Sequence, residues 1–253
     1  MKTRQSSVRG PTGRWIRYRS PAIVGLTLAA LAVTASVAHA ATAVDLGTAD
    51  SYVVLGAETV TNTGPSVLNG DLGVYPGTSI TGFPPGIVVG GTTHTTDAHA
   101  QQAQSDLTIA YNSAASQAPD ATSPPDLGGQ TLVAGVYFSA TTAGLTGTLT
   151  LDGQGDPTSV WVFQIGSTLI TAPDSTVALI NGALACNVFW QVGSSATLGT
   201  SSEFVGTIMA LSSITVNTGA VVEGRALART GAVTLDSNVF IDPRCDDAVD
   251  ADV

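Results

Sequence analysis

The sequence predicts a β-solenoid of triangular cross-section with one long α-helix packed alongside. Three observations carry this expectation. The stretch Ala196-Thr197-Leu198-Gly199-Thr200 is followed 18 residues later by Ile214-Thr215-Val216-Asn217-Thr218, and then by Val233-Thr234-Leu235-Asp236-Ser237. Gly206 with Gly224, Ile208 with Ala226, and Ala210 with Ala228 repeat at the same 18-residue spacing. Short, Gly-punctuated β units with a period near 20 mark a coil in which each repeat is one turn. Finally, one stretch breaks the pattern. From Asp97 to Gln117 there is no Gly or Pro, and Ala100, Ala103, Leu107, Ala110, Tyr111, Ala114 and Ala118 recur at helical steps.

Taken in order, residues 1–40 read as a secretory signal peptide. Lys2, Arg4, Arg9, Arg14, Arg17 and Arg19 form a basic start, Pro21 to Val37 is apolar, and Ala38-His39-Ala40 is an A-x-A cleavage site. The ordered domain is expected over 41–245. Val67 to Gly91 is rich in Gly and Pro with short apolar runs, as tight coils with sharp corners require. The helix follows at about 97–117. Thr95 or Thr96 is placed to cap it, Asp97 suits its first turn, and Pro119 with the Pro-Pro at 124–125 stops it. Strand-like composition resumes from Thr131 to Phe240. The acidic tail 246–253 has no periodicity and is expected to be disordered.

Each 18-residue coil divides into three short strands. On the first, alternation points Ala196, Ile214 and Val233 inward, with Leu198, Val216 and Leu235. Thr197, Thr215 and Thr234 then point outward and stack at about 4.8 Å. The segment 167–171, with Thr168 and Thr171, is expected to continue this face, as is the segment 78–81, and Thr200 and Thr218 support it. The second strand carries Glu203 and Glu223 toward water. On the third, Met209 and Leu227 point out and need a cover, which places the alanine-striped helix there. A threonine ladder suits any solvent-facing β surface. It is also flat, rigid and uncharged, with methyls and hydroxyls in register, so it can order water and dock to a crystal lattice with little entropy lost.

Charge and motifs exclude several functions. Six of the nine Lys+Arg lie in the first 40 residues and all 19 Asp+Glu lie after them, which leaves Arg225, Arg229 and Arg244 and a net charge of −16. Nucleic acid and anionic membranes, which need clustered cations, are therefore not expected partners. No second run of membrane-spanning length follows. The carboxylates are scattered and no acid–base pair stands out, so no enzyme and no cofactor are expected. His94 and His99 flank the helix start at a spacing poor for a shared metal face, so no metal site is expected. Cys186 and Cys245, an even pair in an exported chain, are expected to form a disulfide that clips the C-terminal segment onto a coil.

Several long strings resemble the ice-binding protein family, also called the DUF3494 or type I ice-binding domain. They are GDLGVYPGTSITGFPPG, AQSDLTIAYNSA, LTGTLTLDGQGDPTSVWVFQIGSTLITA, NVFWQVGSSATLGTSSEFVGTIMA and SSITVNTGAVVEGRALARTGAVTLDSN, in family order across residues 44–242. The resemblance implies a right-handed, discontinuous triangular β-solenoid that adsorbs to ice through one flat face and slows ice growth and recrystallisation. Ice or ordered water is then the expected partner of a secreted monomer. The family supplies no motif that fixes the face, so the expected one is Thr197, Thr215 and Thr234, with Thr168, Thr171, Thr200 and Thr218. Gly199, Asn217 and Asp236 share its exposed side, and Asp236 disturbs an ice-like water layer, so modest activity is expected. The alternative is a non-catalytic cell-envelope adhesin or glycan-binding module on the same scaffold.

Overall fold

Short strands, many of them turned at a glycine or a positive-φ residue, build a coil whose side chains alternate between core and surface. The computed structural model describes residues 41–243 and 245; the expected signal peptide (1–40) and acidic tail (246–253) lie outside the described residues. Every strand pairing is parallel. The first face is a seven-stranded sheet. Its strands run Ala143–Leu145, Leu169–Thr171, Ala196–Leu198, Ile214–Val216, Val233–Asp236, Thr59–Thr63 and Ser79–Thr81 in spatial order.

The second and third faces belong to one 15-stranded sheet folded along a corner. Two long strands, Glu203–Ala210 and Val221–Ala228, run through that corner. Their first halves pair with second-face strands such as Val239–Ile241, and their second halves with third-face strands such as Val188–Val192 and Tyr52–Gly56. The bend lies at Gly206 and Gly224, which explains their 18-residue repeat. Gly206 has φ 108°, and a Cβ on it would sit 2.6 Å from the Val188 carbonyl oxygen. A Cβ on Gly224 would overlap the Gly206 carbonyl.

The solenoid is discontinuous because the stack is not in chain order. The chain enters mid-stack at Tyr52–Gly56 and coils outward to Thr93–Thr95 at one end. The helix α1 (Ala98–Ser116) returns along the third face, and the chain resumes at the other end with Ala121–Thr122 and Thr131–Val133. It then coils back until its last turn lies against its first. Val239 stands beside Val67 and Thr234 beside Thr61. At 1.5 Å per residue, α1 spans about 28 Å, roughly six coil steps of 4.8 Å.

Inward side chains fill the coil with large aromatics. Phe163 stacks on Trp190 at 4.0 Å, and Trp190 meets Phe204 at 5.0 Å. A second apolar layer lies between the third face and α1. Met209, Leu227 and Leu55 point out of the sheet yet are fully buried under Ala103, Leu107, Ala110 and Ala114. The alanine stripe lets the helix lie close, as the sequence implied.

Two details differ from expectation. Asp97 is the N-cap, its carboxylate accepting the Ala100 N–H at 2.8 Å, whereas Thr96 turns the chain at φ 54° and Thr95 ends a strand. A carboxylate also suits the positive helix end better than a hydroxyl does. On the second face, Glu203 and Glu223 are exposed as expected. Their neighbours are not uniformly polar: the column of Glu203 continues through Val221, Val239, Val67 and exposed Ile87.

Two ties hold the end of the chain, Arg225 joining it to the first coil and a disulfide joining it to the coil that begins at Cys186. Arg225, 4% exposed, donates to the Asp50 carbonyl at 2.8 Å and lies 2.8 Å from the Asp50 carboxylate and 3.0 Å from that of Asp242. Cys186 and Cys245 are bonded, 5.6 Å apart between Cα atoms, closing 59 residues.

Candidate functional site

Parallel pairing aligns one outward residue from each of the seven first-face strands into a column. Read across the face, it runs Gly144, Ile170, Thr197, Thr215, Thr234, Thr61 and Thr81. Five consecutive threonines therefore stand in register, stepping by about 4.8 Å. Alternation forces this: each threonine has an apolar inward residue before it, namely Ala196, Ile214, Val233, Val60 and Ile80. At one step the Thr61 hydroxyl donates to the Thr234 hydroxyl at 3.4 Å. The remaining hydroxyls and methyls face solvent.

Thr197, Thr215 and Thr234 share this column. Thr61, which the sequence reading missed, extends it, and Thr81 ends it. Thr200 and Thr218 are exposed at the corner that follows the strands, next to positive-φ Ser201 and Gly219. The Thr218 hydroxyl donates to the Asp236 carboxylate. Thr168 flanks the column, one residue before the strand Leu169–Thr171, and is half-buried.

Thr171 corrects the expectation. Leu169 pairs with Ala196 and Ile170 with Thr197, so Thr171 faces the core. It is 3% exposed, and its hydroxyl accepts the Gly199 N–H at 2.8 Å. Ile170, 47% exposed, takes the ladder position in that coil. The column is thus uninterrupted threonine over five coils and changes to Ile170 and Gly144 at one end.

The three faces offer different surfaces. The third is covered by α1. The second carries Glu203, Glu223 and Asp152 among apolar residues. On the first, the central column is uncharged, and Asp236 stands beside Thr63 at its margin. This face can present a flat, stiff array of hydroxyl and methyl groups to an extended ligand. Among the described residues, no helix is long and apolar enough to cross a membrane.

Comparison with known proteins gives one answer. The model of the ice-binding-like family matches residues 54–241. An ice-binding protein of Nostoc sp. (strain HG1) is 56% identical over 203 residues, covering 79% of this chain and 75% of that protein. The crystal structure of an ice-binding protein from an Antarctic biological consortium superposes with a TM-score of 0.78 at 48% identity, covering 80% of this chain and 92% of the other. That from the ascomycete Antarctomyces psychrotrophicus also gives a TM-score of 0.78, at 46% identity, over 80% of this chain and all of the other (100%).

Proposed function

This chain belongs to the ice-binding-like family, and from that premise we propose that it adsorbs to ice through its threonine face and so inhibits ice growth and recrystallisation. The observation that carries this is the ladder Thr197, Thr215, Thr234, Thr61 and Thr81, in register on one flat sheet. The named relatives supply the ligand, and the ladder supplies a surface suited to it.

The mechanism follows from rigidity and chemistry. Hydroxyls at a fixed repeat hold water in fixed places, and the methyls between them keep that water from competing arrangements. The sheet is already ordered, so docking on a lattice freezes few side-chain rotors. β-branched threonine adds to this, because its χ1 is stiff before binding. An adsorbed molecule leaves the ice front to grow only between bound neighbours, where curvature opposes growth. Asp236 at the margin favours disordered hydration and limits the ordered patch.

The site of action is outside the cell. The basic, apolar and A-x-A pattern of residues 1–40 supports export, and a disulfide suits an oxidising compartment. The test is an ice recrystallisation assay with crystal shaping on the purified protein. Arrested grain growth and faceted crystals at micromolar protein are expected. Round, freely coarsening crystals from a folded sample would overturn the proposal.

A further inference from the structure

We propose that Asp71, His94 and His99 form a binding site for a first-row divalent transition ion, with Zn2+ as the fitting case. The three residues come from different elements. Asp71 opens the strand Asp71–Val74, His94 sits in the edge strand Thr93–Thr95, and His99 lies in the first turn of α1. One ligand atom from each lies within 4.8 Å of the other two. In the sequence, His94 and His99 flank the helix start five residues apart, a spacing poor for a shared metal face. His94 is not on the helix, and the positive φ at Thr96 folds the two rings together, with centroids 4.4 Å apart and planes at 25°.

Each imidazole is held by its other nitrogen. His94 Nδ1 is 2.7 Å from Asp97 Oδ2, and His99 Nδ1 is 2.7 Å from the hydroxyl of fully buried Tyr52. When each Nδ1–H donates to its neighbour, each Nε2 keeps a free lone pair. Metal-ligating histidines are oriented in this way, by an acceptor on the far nitrogen. His94 Nε2 then faces Asp71 Oδ2 at 3.9 Å. That is too long for a hydrogen bond and sets two electron-rich atoms across a gap. A cation in the gap satisfies both.

The donor set selects the ion. Two imidazoles and one carboxylate suit Zn2+, Ni2+ or Cu2+ rather than Mg2+ or Ca2+. Bonds of about 2.0–2.2 Å place tetrahedral ligand atoms roughly 3.4 Å apart, so a small contraction closes the site and leaves a fourth position for water. Two carboxylates, Asp71 and Asp97, outweigh the positive end of the helix. The side chains of His94 and Asp71 are 16% and 14% exposed, so an ion reaches them from solvent. Bound there, it pins the start of α1 to the edge coil.

The test is calorimetric titration of the untagged full chain with Zn2+. One equivalent is expected to bind at micromolar Kd or tighter, with a rise in melting temperature. His94→Gln and Asp71→Asn, each checked for fold by circular dichroism, are expected to weaken binding at least tenfold. Asp97→Asn, which keeps an N-cap acceptor for the Ala100 N–H and meets His94 only at its far nitrogen, is expected to weaken it about tenfold. Absence of stoichiometric binding below millimolar Zn2+, or unchanged affinity in folded His94→Gln and Asp71→Asn, would overturn the site.

Discussion

Thr61 and Thr234 are 173 residues apart in the chain yet stand side by side on parallel strands, their hydroxyl oxygens 3.4 Å apart. The threonine ladder therefore crosses the seam where the first coil meets the last. Its length depends on that seam being tight. Below it, the core changes from apolar to polar: Asn62 points inward beside Leu235 and is satisfied by the Gly64 and Gly82 carbonyls and by Ser66. Asn238, fully buried, links to the same Ser66 and to the Asn217 carbonyl. These bonds fix which coil meets which, and so fix the register of the ladder.

The inward and outward threonines respond differently to loss of the hydroxyl. Thr171→Val leaves the Gly199 N–H without its acceptor in a buried place, which costs about 1–3 kcal/mol. Thr197→Val alters only the surface and shifts stability by no more than about 0.5 kcal/mol. Denaturant unfolding of the two variants is expected to separate them by that margin.

Arg225, itself buried, anchors the seam through bonds to Asp50 and Asp242. Arg225→Ala leaves the Asp50 carbonyl without its donor and removes the cation beside two carboxylates, of which that of Asp50 is 67% exposed and open to water, so it is expected to destabilise by about 1.5–3 kcal/mol. Urea unfolding measures this, and a loss below about 1 kcal/mol would show that the seam is held elsewhere.

The Cys186–Cys245 bond closes 59 residues of chain. In the chain-entropy model that constraint is worth about 4 kcal/mol. The double substitution Cys186→Ser with Cys245→Ser is expected to lower the melting temperature while leaving the ladder geometry, and so ice activity at low temperature, intact.

Stability is expected to fall in acid. The backbone N–H of Thr48 holds the Asp106 carboxyl below the usual carboxylate range, and that of Gly128 does the same for Asp126. A depressed carboxyl contributes its stability in full above the unfolded value, near pH 4, and loses it as pH falls through the lower folded value. The melting temperature is therefore expected to be flat from about pH 7 to 5 and to drop below about pH 4. Asp106→Asn is expected to make that drop shallower.

The sequence made some parts legible and hid others for physical reasons. The coils from Ala196 to Asp236 are near-copies, so alternation alone placed Thr197, Thr215 and Thr234 in one column. The alanine stripe and the outward Met209 and Leu227 needed one another, and that placed the helix. Thr171 was misplaced because its coil is longer than its neighbours. Ile170 precedes its partner Thr197 by 27 residues rather than 18, so the local period no longer reports phase. Thr61 was missed because its pairing partner lies at the far end of the chain. Thr61-Asn62-Thr63 also resembles Val216-Asn217-Thr218, yet Asn62 pairs with Leu235 and faces inward. The apposition of His94 and His99 turns on one residue, Thr96, whose positive φ has no marker in its side chain.

The most direct measurement compares ice recrystallisation by the wild type with Thr61→Tyr, Thr215→Tyr and Glu223→Tyr, all verified as folded. The first two place a bulky ring on either side of the seam, and the third places one on a different face. Wild type and Glu223→Tyr are expected to arrest grain growth at the same micromolar concentration, and the two ladder variants to require at least several-fold more. Full activity in Thr61→Tyr and Thr215→Tyr would contradict the account and remove the threonine ladder from the ice-binding surface.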